Sequence, residues 1–554
     1  MVTKQAEVVK ADVLCIGGGP AGLMAAIRAG ELGASVVVAD KGNTLHSGSA
    51  TGGCDHFMCY NPEYHGTDVA PIREAVFNAP TGGCTDPVYV DIWLDKSFEM
   101  VKLWESWGIP MKHNGKWDFG GHSFPDRPRI HMHYAGGNQK KVLTEKALKN
   151  GARLMNRVTI FELLRDGDRV IGALGFDTWN GRIIQFEAKS TMLATGLVSR
   201  LYPGLTPGWL INIPVFPFNT GDGRAMGLRA GAYLTGLEFT GRWAGPKYFS
   251  RAGKGTWIGV LREPSGRPVG PFITRPNKET GDIVADVYPA LFADYAAAAR
   301  GPVYMDLHGA SKEDIEYMLH WLRHEGNTGL VNHLAQAGID LTKNGIEFGT
   351  YEFGIRGGVW HTPDSATNLK GLYACGEEYA VLGGMAGAVT LGWMAGENMA
   401  NHARGTEFAG LEGEKDRIEH ETGRITAMLS RKAGASWQEA NVALQNTMLD
   451  YAGGLRSEPL LTQGLTHLAR VKEKAAETLM ARNGHELGRC LEVLSLMEVG
   501  EAVITAARAR QESRGPHKRY DYPYTNPLLD RSLLVSKEAG NFAIKWGEKM
   551  HKGG

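Results

Sequence analysis

The chain has 554 residues, 43% hydrophobic and 22% charged, a composition that supports a large core and more than one domain and excludes a disordered or disulfide-stapled chain. Lys plus Arg and Asp plus Glu each number 60, so overall charge gives no ground for nucleic acid or an anionic membrane surface as the main partner. The six cysteines, Cys15, Cys54, Cys59, Cys84, Cys375 and Cys490, include no CxxC pair or ferredoxin-like run, so a metal or iron–sulfur cluster is expected only on another chain.

Residues 1–11 lack the charged head, apolar block and cleavage site of a leader, and no apolar run reaches the roughly 20 residues of a membrane helix. A cytoplasmic protein is expected. Asp12–Ile16 is an apolar strand, Leu23–Gly33 has helical composition, and Ser35–Ala39 is a second strand. Between them lies Gly17-x-Gly19-x-x-Gly22, and Asp40 ends the second strand at the distance expected of a ribose-binding carboxylate. Gly17 permits a tight turn, Gly19 lets the backbone approach a pyrophosphate, and Gly22 lets the helix pack closely with its positive end toward the phosphates. Strand, glycines, helix, second strand and acid in this order predict a dinucleotide site.

Residues 42–56, rich in Gly, Ser and Thr, read as a loop that brings backbone donors up to a ligand. Residues 64–112 mix helices and loops, and 139–150 read as an amphipathic helix. Strands are expected at 153–164, 169–177 and 183–187, separated by Asp166-Gly167-Asp168 and Asn180-Gly181, as a small antiparallel element inserted into the wound domain. A further strand ends in the turn at 191–196, and Gly221-Asp222-Gly223 opens a helix. Strand plus glycine returns at 371–376, followed by a helix over 387–403.

This organisation predicts an α/β fold: a Rossmann-like dinucleotide-binding domain over 1–240 and 356–408, an inserted α+β capping domain over 241–355, and a helical domain over 409–510. Residues 511–554, basic and then aromatic and proline-bearing, are expected as an extended C-terminal arm. His113, His122, His131 and His133 read as entrance-lining or packed histidines rather than metal ligands, since no carboxylate or cysteine has matching spacing. Lys140-Lys141 and Lys518-Arg519 read as solvated charges, with docking of an acidic electron-transfer partner as the alternative.

The motifs IGGGPAGLMAA at 16–26, LATG at 193–196, TGDGRAMGLRAGA at 220–232, GLYACGE at 371–377 and SRGPHKRYDYP at 513–523 resemble the succinate dehydrogenase, fumarate reductase and L-aspartate oxidase flavoprotein superfamily over most of the chain. The stretch IHMHYAGGNQKKVLTEKALKNGA at 130–152 looks most like the alpha subunit of dissimilatory adenylylsulfate reductase. The resemblance implies FAD, a capping domain over the isoalloxazine and a C-terminal helical domain. It places Gly17, Gly19 and Gly22 at the pyrophosphate and Asp40 with Lys41 at the adenosine side. Ser47, Gly48, Gly52 and Gly53 fall at the flavin, and Glu377 after Gly376 at the ribityl chain. Thr195, Gly196, Asp222, Thr390 and Leu391 take further contacts. His46 stands seven residues before Gly53, where succinate dehydrogenases bond the flavin covalently, but Ser47-Gly48 resembles the noncovalent adenylylsulfate reductase pattern, so noncovalent FAD is expected.

Dicarboxylate enzymes of the family carry a histidine after an LEF stretch and an arginine in a Gly-x-Asn-Arg-Leu-Gly turn. Here the corresponding stretches read Leu237-Glu238-Phe239-Thr240-Gly241-Arg242-Trp243 and Gly384-Met385-Ala386-Gly387-Ala388-Val389. The substitutes are His361 as acid or base, Arg356 and Arg242 as anion holders, and Trp243 stacked beside the ring. The expected function is an FAD-dependent oxidoreductase subunit exchanging electrons between a small-molecule substrate and a separate ferredoxin-like iron–sulfur subunit in an oligomer or heteromeric complex. The alternatives are a non-catalytic electron-transfer subunit, a fumarate reductase or succinate dehydrogenase type of enzyme, and an oxidase.

Overall fold

The ten-residue strand Glu7–Ile16 pairs in parallel with Val36–Asp40 on one side and with Ile183–Leu193 on the other. Its last four residues are buried on both faces, which is why the sequence there is a continuous apolar run and not an alternating one. The computed structural model describes residues 7–77, 86–121, 128–204, 210–211, 216–246, 256–257, 261–267, 269, 282–283, 298–324, 328–379, 382 and 384–552.

The central sheet runs Arg153–Asn156, Val36–Asp40, Glu7–Ile16, Ile183–Leu193, Arg169–Asp177, Val158–Asp166, and Leu372–Ala374 pairs in parallel with the C-terminal end of Ile183–Leu193. The strand expected at 153–164 is broken at Arg157, whose φ is 61°, and its two halves join opposite ends of the sheet order. The strands expected at 183–187 and 191–196 are one strand, so the antiparallel pairs of Val158–Asp166, Arg169–Asp177 and Ile183–Leu193 extend the wound sheet directly. Helices Pro20–Glu31 and Gly384–Arg404 pack against each other beside this sheet and share one apolar core with Pro87–Ser106.

Thr240–Pro246 and Ile346–Ile355 pair antiparallel, with a bulge between Gly241 and Arg242, and carry the chain out of and back to the nucleotide domain. With Val303–Met305 and Leu261–Arg262 they form a four-stranded sheet. Helices Lys312–His324 and Thr328–Gln336 close a separate small core around Met305, Leu307, Met318, Leu334 and Phe348.

Four long helices follow, Lys415–Ser430, Trp437–Ala452, Glu458–Thr478 and Gly484–Ala509. Ser436 and Glu439 form a capping box at the second, and the last is buried along most of its length. The segment expected as an extended arm is instead folded. Ser532–Glu538 and Asn541–Gly547 form a hairpin whose first strand pairs with Leu234–Thr235, which in turn pairs with Gly358–Val359. Leu533 and Val535 enter the main core. The basic composition misleads because two of the arginines are paired within the fold: Arg514 donates to Glu512 at 2.8 Å, and buried Arg519 grips Asp521 at 2.7 Å. Among the described residues no helix is long and apolar enough to cross a membrane.

Candidate functional site

The glycine turn sits between the first strand and the helix Pro20–Glu31, and its geometry admits little else. Gly17 has φ 110°, and a Cβ there would lie 2.3 Å from the Ala194 carbonyl oxygen, while one at Gly22 would lie 1.9 Å from the Gly17 oxygen. Gly19 is the opposite case. It caps the helix, and a Cβ there would meet nothing within 4 Å, so open space adjoins the positive helix end. Asp40 is 7% exposed; its Oδ2 accepts the Gly18 amide at 2.8 Å and its Oδ1 the Gly42 amide at 2.7 Å, which fixes two loops to one strand end.

The loop after Asp40 holds further predicted contacts. Ser47 is buried and its Oγ has no hydrogen-bond partner among the described residues, Gly48 and Gly53 have φ of 80° and 91°, and Gly52 and His46 are exposed. The Lys41 ammonium lies 2.6 Å from Asp222 Oδ2 and 2.8 Å from Glu492 Oε1. Burial would raise the Asp222 pKa, but the Lys41 charge and hydrogen bond outweigh it and hold the carboxyl below its usual range. Lys41 and Asp222 therefore tie the nucleotide domain to the helix Gly484–Ala509.

One residue that sequence reading missed joins the remaining motifs. Fully buried Arg224 donates Nε to Gly357 O at 2.8 Å, Nη1 to Gly196 O at 2.7 Å and Nη2 to Glu377 O at 2.7 Å. Glu378, also missed, is fully buried, and its Oε2 accepts from Thr195 N at 2.9 Å and Thr195 Oγ1 at 2.6 Å. Burial pushes the Glu378 carboxyl above its usual range, with the Arg224 charge and the Thr195 hydroxyl opposing. Glu377 is half-buried and accepts the Gly384 amide at 2.7 Å. Gly376 has φ 71°, Leu391 is fully buried, and Thr390 presents a buried Oγ1 without a hydrogen-bond partner among the described residues.

Three residues beyond the Gly357–Gly358 pair, His361 is fully buried. Its Nδ1 contacts the Thr362 carbonyl at 2.8 Å and the Tyr89 hydroxyl at 3.1 Å, and its Nε2 has no hydrogen-bond partner among the described residues. Burial pulls its pKa down to about 4, so the imidazole is neutral at pH 7. Tyr379 lies edge-on at 5.7 Å between ring centroids. Arg356 is half-buried on the other side of the glycine pair. Arg242 and Trp243 pair through their backbones with Glu352 and Tyr351, but their side chains lie outside the described residues.

The histidines gather where the short sheet His56–Met58, His131–His133, Asp118–Gly121 meets the helix Lys312–His324. His133 is fully buried beside Asp118 at 3.2 Å and Tyr317 at 6.1 Å, and His113 faces His320 at 6.0 Å. His122 and Cys84 lie outside the described residues. Cys15, Cys59, Cys375 and Cys490 are core thiols; burial pushes Cys15 up to about 12. Of the two lysines read as solvated at 140–141, Lys141 is exposed but Lys140 is buried, 3% exposed, with its ammonium on the Gly18 carbonyl. Of Lys518 and Arg519, only Lys518 is exposed.

A helix end with open space at Gly19, two buried hydroxyls without partners at Ser47 and Thr390, and a carboxylate-anchored loop at Asp40 fit a flavin dinucleotide. Fold and site together define an FAD-binding oxidoreductase.

Comparison with known proteins agrees. Residues 12–392 match the FAD binding domain family and residues 441–548 the fumarate reductase flavoprotein C-terminal family. One subunit of the CoM/CoB fumarate reductase of Methanothermobacter marburgensis is 27% identical over 96% of this chain and 98% of its own length. L-aspartate oxidase of Mycobacterium tuberculosis is 28% identical over 95% of each. In structure, adenylylsulfate reductase of Archaeoglobus fulgidus superposes with TM-score 0.84 at 21% identity, covering 99% of this chain and 97% of that one. The E. coli quinol fumarate reductase flavoprotein gives TM-score 0.83 at 20% identity over 98% of both. The chain belongs to the FAD binding domain family and carries the fumarate reductase flavoprotein C-terminal domain.

Proposed function

We propose that this flavoprotein exchanges electrons between a small substrate and a separate iron–sulfur protein, with FAD held noncovalently. FAD supplies a carrier that takes or gives two electrons on one side and passes single electrons on the other. Gly17, Gly19, Gly22 and Asp40 would hold its ADP half, and Ser47, Gly48, Gly52, Gly53, Thr195, Gly196, Asp222, Gly376, Glu377, Thr390 and Leu391 its flavin half. The observation that carries a catalytic reading is His361, neutral, enclosed by Tyr89 and Tyr379, with Nε2 unengaged three residues from the Gly357–Gly358 pair. With its Nδ1–H donated to the Thr362 carbonyl, the neutral ring carries its free lone pair on Nε2, so His361 serves as base. Arg356 and Arg242 supply positive charge for an anionic substrate, with Trp243 beside the ring. Relatives named as subunits of fumarate reductases support a partner chain.

A second reading has one observation in its favour. The helix start Gly384–Val389 carries Gly387 where dicarboxylate enzymes of the family place an arginine, which favours an electron-transfer subunit that turns over no substrate itself. Anaerobic titration of the flavoprotein separates the two. Bleaching or reoxidation of the flavin band by a small reduced or oxidised molecule supports catalysis on this chain, and a response to iron–sulfur protein alone supports electron transfer.

A further inference from the structure

Lys140 stands in the first turn of the helix Gln139–Lys149, where the helix dipole disfavours a cation, and its side chain is 3% exposed. The Nζ donates to the Gly18 carbonyl, and among the described residues no carboxylate pairs with it. The Gly18 peptide is thus held from both sides, its N–H by Asp40 Oδ2 at 2.8 Å and its oxygen by the Lys140 ammonium. Asp40 spends both carboxylate oxygens on backbone amides and reaches Lys140 only as a nearby charge. Burying an ammonium without an ion-pair partner is unfavourable unless an anion joins it. The neighbouring open space at Gly19 is where the dinucleotide turn presents its N–H groups to a diphosphate.

We propose that Lys140 is an additional FAD-binding residue, its ammonium supplying the positive charge that faces the cofactor's diphosphate while its hydrogen bond sets the Gly18 peptide in the glycine turn. The inference rests on FAD as the cofactor. Its placement is specific to the ADP half, so it predicts effects on FAD and ADP binding that leave the substrate side untouched. Burial pulls the Lys140 pKa down to about 8, against the opposing field of Asp40, so the charge is lost at mildly alkaline pH.

The test is the Kd of the deflavinated full-length chain for FAD, and for ADP as competitor, in wild type, Lys140→Met and Lys140→Arg. Lys140→Met is expected to weaken FAD at least tenfold and to flatten the salt dependence of binding, with Lys140→Arg intermediate. In wild type the affinity falls as pH rises through about 8. Unchanged Kd and salt dependence in Lys140→Met overturn the proposal while leaving the cofactor assignment intact. Failure of wild type to take up FAD overturns both. Should Lys140→Met not fold, Lys140→Gln decides on the same readouts: weaker FAD and ADP binding with a flatter salt dependence supports the proposal, and wild-type values overturn it.

Discussion

Arg224 and Glu378 are both fully buried, with Arg224 Nη1 3.8 Å from Glu378 Oε1, and the two side chains hold together loops that are far apart in sequence. The guanidinium takes the carbonyls of Gly196, Gly357 and Glu377, and the carboxylate takes the backbone and hydroxyl of Thr195. At 3.8 Å, with no direct hydrogen bond, the pair is a charge balance inside a backbone clamp.

Removal of one partner leaves the other charge buried and three carbonyls unsatisfied. Arg224→Met is expected to lower stability by about 3–5 kcal/mol and to deplete bound flavin. Arg224→Lys does little better, since an ammonium cannot span three carbonyls set in a fork. The double variant Arg224→Met with Glu378→Gln recovers part of the loss because the orphaned charge is gone. Thermal melts and flavin content of the three variants check this; full stability in Arg224→Met contradicts it.

The βαβ turn, its glycines and Asp40 were legible because every requirement there is local: a tight turn, an open helix end and a strand-end acid lie within 24 residues of each other, from Gly17 to Asp40. Arg224 was not, because a first-turn arginine in a glycine-rich helix reads as solvated until Gly357 and Glu377 are brought to it from far along the chain. Glu378 escaped for a different reason. Adjacent acids at 377–378 are indistinguishable until the turn Gly376–Glu378 sends one inward and leaves the other half-exposed. Lys140 and Arg519 share the same blindness: composition reports charge and says nothing of the carbonyl or carboxylate waiting in the fold.

Gly19 and Gly22 separate cofactor binding from folding. Gly22→Ala drives a methyl toward the Gly17 oxygen at 1.9 Å and is expected to destroy the turn, with loss of both flavin and stability. Gly19→Ala meets open space in the protein itself and leaves the apoprotein melt within about 1 kcal/mol of wild type, but its methyl intrudes where the diphosphate approaches. FAD affinity at least tenfold weaker in Gly19→Ala, with an unchanged apoprotein melt, is the expected outcome; equal affinity means the cofactor lies elsewhere.

His361 carries a pH signature. Its folded pKa of about 4 lies below the ordinary 6.5, so the unfolded chain binds more protons between these values and stability rises with pH across that window. The contribution is fully present above pH 6.5 and is lost as pH falls toward 4, on the order of 3 kcal/mol in all. His517, lowered by burial and the neighbouring Arg456, adds to the same slope. Denaturant melts from pH 7 to 4.5 are expected to show a shallower acid loss in His361→Gln than in wild type, and parallel curves exclude a buried neutral His361.

The C-terminal hairpin offers a test by truncation of a side chain. Leu533 is 1% exposed in the main core, so Leu533→Ala is expected to lower stability by about 2–5 kcal/mol. A solvated arm predicts a change within about 0.5 kcal/mol, and a denaturation midpoint distinguishes the two.

The central claim is that these loops build an FAD site, and the absorbance spectrum of the purified chain before and after acid precipitation tests it most directly. A flavin band equivalent to about one FAD per chain, released into the supernatant on precipitation as a noncovalent dinucleotide, is the expected result. A chain that takes up no FAD on reconstitution contradicts an FAD site in these loops, and flavin that stays with the precipitate means covalent attachment, with His46 the residue to substitute.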